Sequence, residues 1–106
     1  MISVVFYKKN GKYKEIKSQG HADYAKAGTD IVCAAISALV INCFNSVEQF
    51  TEDFVLSETS KDGITSLQLK SDISHDAELL VKSLELGLRE ISKDNGKYLK
   101  ISVKEV

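Results

Sequence analysis

Within the stretch GHADYAKAGTDIVCAAISAL, residues 20–39, His21 and Cys33 stand twelve positions apart. A thiol attacks as its thiolate. An imidazole within hydrogen-bond reach can take the thiol proton and later return it to a leaving amine. Asp30, with Thr29 as its rival, suits a helix N-cap directly before the uncharged run Ile31–Val47, which predicts Cys33 in the first turn of that helix. Unpaired backbone N–H groups and the positive end of the helix dipole favour an anionic sulfur there. The same N–H groups suit an oxyanion formed by attack on a carbonyl. Together these groups spell acyl transfer by a cysteine nucleophile. The same residues also read without chemistry, as a small core cysteine and a polar residue at a strand end.

The other candidates are placed more simply. Cys43 lies ten residues beyond Cys33 beside Phe44 in the same run, and reads as packing. At about 1.5 Å per helical residue the two sulfurs stand roughly 15 Å apart along the axis, too far for an intrachain disulfide. Free thiols imply a reducing compartment. His75, at the start of a second helical pattern, reads as a surface residue. Neither C-x-x-C nor H-x-x-x-H spacing occurs, so no zinc site and no cofactor are expected.

These residues need elements to hold them. Ile2–Tyr7 is apolar and β-branched, Asn10-Gly11 marks a hairpin, and a second strand runs from about Tyr13 to Gln19 or Gly20. Residues 22–29 read as a loop whose glycine and small residues suit a segment that orders when peptide binds. Strands are predicted near Phe54–Thr59 and Ile64–Lys70, around a turn at Asp62-Gly63. A second helix begins near Ser74. Its stripe Ala77, Leu80, Val81, Leu84, Leu88 and Ile91 recurs with a 3.6-residue period, and Asn95-Gly96 ends it before a last strand, Tyr98–Lys104. The order ββαββαβ predicts an α+β domain, a mostly antiparallel sheet with two helices packed on it. The first helix is apolar on nearly all sides and therefore expected to be buried on nearly all sides. One sheet covers one face, so a twofold homodimer is the simplest cover for the other.

The 106 residues make one domain, 1–106, carrying 14 basic and 15 acidic residues. That balance argues against direct contact with nucleic acid, and the Ile31–Val47 run is too short and too broken by Asn42 and Asn45 for a membrane span. Met1 leads straight into the first strand pattern with no basic and apolar leader, so a cytoplasmic location is expected.

The triplet Gly20-His21-Ala22 and the block Gly28-Thr29-Asp30-Ile31-Val32-Cys33-Ala34, at this separation, resemble the motif of the bacterial ribosomal-processing cysteine protease family, Prp. The resemblance implies an endopeptidase with Cys33 as nucleophile and His21 as base. The implied substrate is the N-terminal extension of protein twenty-seven of the large ribosomal subunit, cut after an aromatic pair. It also implies a homodimer. A third catalytic member stays open. Asp30 matches a family position and would orient the imidazole if it turns to His21, or oppose the thiolate if it caps the helix; Asp23 and a backbone carbonyl are its rivals. The competing functions are a non-catalytic ribosome-associated binding or assembly factor, and a thiol sensor, for which Cys43 lies too far away to resolve Cys33.

Overall fold

The computed structural model describes residues 1–20, 29–60 and 63–106, with the side chains of Thr29 and Asp30 also outside the described set. Strands β1 (Ile2–Lys9) and β2 (Lys12–Gln19) form an antiparallel hairpin. Its turn residues Asn10 and Gly11 both have positive φ, 53° and 78°, the geometry of a two-residue turn that follows the twist of the strands. Ile2, Val4, Phe6, Tyr13 and Ile16 are buried. A bulge falls where Tyr7 faces Glu15 and Lys8 faces Tyr13, leaving Lys14 without a cross-strand partner.

Helix α1 (Thr29–Phe50) follows, then the antiparallel pair β3 (Phe54–Thr59) and β4 (Thr65–Leu69), helix α2 (His75–Asn95) and strand β5 (Leu99–Glu105). The sheet order is β3-β4-β2-β1-β5. Three of its pairings are antiparallel, and β1 with β5 is parallel. A parallel neighbour needs a long crossover, which here is everything between the first hairpin and β5. The seven predicted elements and their order are therefore observed, as an α+β sheet that is mixed but mostly antiparallel. Of the predicted Asp62-Gly63 turn, Asp62 lies outside the described residues; Gly63 has φ 76°.

Both helices contribute to one core with the sheet. Ile36, Val40, Cys43, Phe44 and Val47 of α1 and Ala77, Val81, Leu84 and Leu88 of α2 join Phe6, Ile16, Leu67, Leu69 and Leu99. Ser74 caps α2, its side chain accepting from the Ala77 N–H. At the other end Gly96 has φ −61°, so the helix stops there without the left-handed geometry that glycine permits. Ile31–Phe50 is long and apolar enough to cross a membrane, yet its Ile36–Val47 stripe is committed to this core.

Within one chain α1 is covered along a single stripe, the one face that the sheet and α2 can reach, while Ile31, Ile41 and Phe50 are 74%, 53% and 74% exposed. An open two-layer fold gives a helix only one partner face. One expectation about α1 needs correction: the helix begins at Thr29, so neither Asp30 nor Thr29 stands before it as the cap.

Candidate active site

The described elements converge on one end of the molecule. The helices run antiparallel: Cys43 Sγ donates to the Leu80 carbonyl at 3.6 Å, and Gly87 faces Leu39. The start of α1 therefore lies toward the end of α2. The Ile2 N–H donates to the Tyr98 carbonyl just beyond α2 at 2.8 Å, and Ser3 pairs with Gln19 at the end of β2. Cys33 and the residue preceding His21 thus belong to the same end of the fold.

Cys33 is the fifth residue of α1, one position past the predicted first turn. Its own amide falls within the intrahelical ladder, so the free N–H groups belong to the residues before it. Side chains on a helix lean toward its N-terminus, which carries the sulfur back over that first turn. Cys33 continues the stripe of Ile36 and Val40 at its open end. It is half-buried and packs on the edge of the core.

The second cysteine provides the contrast. Cys43 is 4% exposed and its thiol is hydrogen-bonded to Leu80. Burial pushes its pKa up to about 12, which keeps it protonated and inert. Packing is its role, as its sequence position suggested. His75 is exposed, with Nδ1 3.7 Å from the Asp76 carboxylate.

His21 and Asp23 lie outside the described residues, as does the Asp30 side chain; the backbone of Asp30 is the second residue of α1. Loop 22–29 falls there too, apart from Thr29 at the helix start. Among the described residues no three His, Cys, Asp or Glu side chains converge as metal ligands.

Two positions that frame this end were not singled out by residue type. Gly20 has φ +120°, and a Cβ placed on it would lie 2.3 Å from the Met1 carbonyl oxygen and 3.1 Å from Ile2 Cα. Only glycine lets β2 leave the sheet against the backbone of β1, so the glycine before His21 has a steric cause. Gly87 sits on the helix seam, where a Cβ would stand 3.1 Å from Leu39 Cδ1. A lone glycine in the α2 pattern is a legible sign of close approach, whereas Gly20 becomes legible only once β1 and β2 are paired.

At the opposite end Asp53 is 3% exposed. Its carboxylate accepts from the Ser74 N–H at 3.2 Å and from the Ser74 hydroxyl, and lies 3.0 Å from Lys70 Nζ. The Ser74 contacts, then Lys70, hold its pKa below the usual carboxylate range against the effect of burial. This network joins the α1–β3 connection to the cap of α2 and anchors the far ends of both helices. No motif marked it in the sequence.

Comparison with known proteins agrees with this architecture. The Staphylococcus aureus ribosomal processing cysteine protease Prp is 26% identical over 98 residues, which cover 89% of this chain and 90% of that protein. The crystal structure of the S. aureus processing protease with a substrate peptide superposes with a TM-score of 0.88 at 23% identity, covering 98% of this chain and 100% of that one. A Streptococcus mutans protein matches with a TM-score of 0.84 at 22% identity, covering 100% of this chain and 96% of the other. The family model for cysteine protease Prp matches residues 1–100, and the chain therefore belongs to that family of peptide hydrolases.

Proposed function

We propose that this chain is the endopeptidase that removes the N-terminal extension of protein twenty-seven of the large ribosomal subunit, with Cys33 as nucleophile and His21 as base. The observation that carries the reading is the contrast between the two thiols of α1. Cys43 is sealed and hydrogen-bonded, while Cys33 is half-open at the helix start. The S. aureus relative's crystal structures hold a substrate peptide in one case and a covalently linked product peptide in another. A covalent peptide adduct is the form of intermediate that a thiol nucleophile makes.

The chemistry runs in two halves. His21 takes the Cys33 proton, and the thiolate attacks the scissile carbonyl carbon, sending an electron pair onto the oxygen. Helix N–H groups ahead of Cys33 stabilise that charge. Collapse breaks the C–N bond, the amine leaves with the proton from His21, and a thioester remains. His21 then deprotonates a water that attacks the thioester, and the sulfur departs. Asp30 acts as the orienter of His21 in this reading, with Asp23 and a backbone carbonyl as its rivals. Ordering of loop 22–29 around the peptide brings His21 to Cys33.

The enzyme acts in the cytoplasm as a homodimer. The uncovered side of α1, with Ala34, Ala35 and Ala38 small enough for close approach and Ile31 and Ile41 apolar, supports a twofold contact there. Sedimentation of the parent and an Ile41→Glu variant tests it; a monomeric parent rejects the dimer. For the activity, the extended ribosomal protein is incubated with the parent, Cys33→Ala, His21→Ala and Asp30→Asn forms, and the products are weighed. The expected result is one cut, abolished in the first two variants and slowed in the third with folding intact. Cleavage persisting in Cys33→Ala rejects the assignment, and unchanged turnover in Asp30→Asn rejects the orienter.

A further inference from the structure

The near balance of 14 basic and 15 acidic residues conceals a separation of charge between layers. Helix α1 carries Asp30 and Glu48 and no basic residue; α2 carries five acidic residues against three basic ones. The helices pack on the face of the sheet formed by Ile2, Val4, Phe6, Ile16, Leu67 and Leu69. No described element covers the other face.

Strand alternation and register determine what that open face presents. Tyr7 stands toward the end of β1, the strand next to the β5 edge, opposite Lys104 of β5 on one side and Glu15 of β2 on the other. Lys100 lies four residues before Lys104 on the same face, and Lys9 continues the alternation of β1. Lys17 reaches across from β2, its ammonium 5.8 Å from the centroid of the Tyr7 ring. Glu15 is the one acidic residue that β1, β2 and β5 place among these lysines, 3.9 Å from Lys17.

We propose that this open sheet face binds single-stranded RNA, with Lys17, Lys100 and Lys104 on phosphates and the Tyr7 ring stacked on a base. An open strand surface carrying an aromatic ring with cations beside it is how sheets take up unpaired bases. An acidic protein segment would satisfy the lysines and leave the ring without a stacking partner. The surface faces away from both helices and so leaves Cys33 free to work. It lets a processing enzyme dwell where RNA is abundant, and the charge separation turns its acidic helices outward.

The test uses the full chain and a short fluorescent oligouridine, followed by anisotropy across a salt titration. Three phosphate contacts predict that log affinity falls against log salt with a slope of about −2. Lys17→Glu/Lys100→Glu/Lys104→Glu lowers affinity at least tenfold. Tyr7→Ala lowers it about five- to a hundredfold, while Tyr7→Phe, which keeps the ring, binds as the parent does. All these variants keep the parent's melting temperature and peptide cleavage rate. Absence of binding, binding that ignores salt, or unchanged binding in the triple variant overturns the proposal. So does equal weakening by Lys82→Glu/Lys93→Glu on α2, or competition by polyglutamate as effective as by RNA.

Discussion

Replacing Gly20 with alanine separates two costs that are usually confounded, because Gly11 provides an internal control. Both glycines have positive φ, +120° and +78°, but a Cβ at Gly11 meets nothing within 4 Å, whereas at Gly20 it would sit 2.3 Å from the Met1 carbonyl oxygen. Gly11→Ala therefore bears only the left-handed backbone penalty, about 1–2 kcal/mol. Gly20→Ala bears a similar or larger penalty, about 1–3 kcal/mol. It must also push the start of β1 away from the end of β2, where Ser3 pairs with Gln19, and disturb the bond from the Ile2 N–H to the Tyr98 carbonyl just before β5. Losing those end bonds adds about 1 kcal/mol each. The gap between the variants is then about 2 kcal/mol, or roughly 10 °C in melting temperature for a domain of this size. Thermal melts by circular dichroism read the gap directly. Peptide cleavage, assayed at a temperature where both variants are folded, should fall well below the parent only in Gly20→Ala, since His21 follows that residue. Equal melting temperatures, or full cleavage by Gly20→Ala, would refute the steric account.

Three further outcomes follow from the described contacts. Asp53→Ala leaves the Ser74 N–H and Lys70 without their carboxylate and should cost about 2–4 kcal/mol in urea unfolding. Because the folded pKa of Asp53 is lowered, its contribution is present above the unfolded value of about 3.9 and is lost as pH falls toward the folded value. Asp53→Asn should flatten that acid limb. Tyr13→Phe removes the hydroxyl that donates to Glu85 at 2.8 Å and should cost about 1.5 kcal/mol. Burial first, then that bond, raises the Tyr13 pKa, so a tyrosine absorbance titration should show one group whose ionisation is delayed in the folded protein relative to the unfolded chain, and Tyr13→Phe should lack that delayed group. Iodoacetamide at neutral pH should label Cys33 and spare Cys43 in the folded protein, and label both in denaturant; mass spectrometry of the digests decides, and native labelling of Cys43 would contradict its burial.

Much of the architecture was legible because local rules and tertiary packing agree. Asn10-Gly11 specifies its turn through two positive φ angles, and the Ala77–Leu88 stripe of α2 specifies both a helix and its buried face. The α1 boundary was less legible, since Thr29 and Asp30 are both good caps and also tolerable first-turn residues. The parallel pairing of β5 with β1 could not be read locally, because nothing within Leu99–Glu105 says which edge of the sheet is free. Of the candidate site, the proposed nucleophile Cys33 and the proposed base His21 stood out by type and spacing, while Gly20 stood out only as part of the family motif.

The order of residues alone determined the seven elements, the pair of chemically capable side chains and the family, since each depends on short-range spacing along the chain. Tertiary structure decided which of two cysteines in one helix is sealed. It decided that α1 shows an apolar side to its surroundings, and that a balanced set of charges is sorted between two layers. Those outcomes depend on which groups the fold places next to one another across long stretches of chain, and exposure and electric field are properties of that neighbourhood rather than of any single residue.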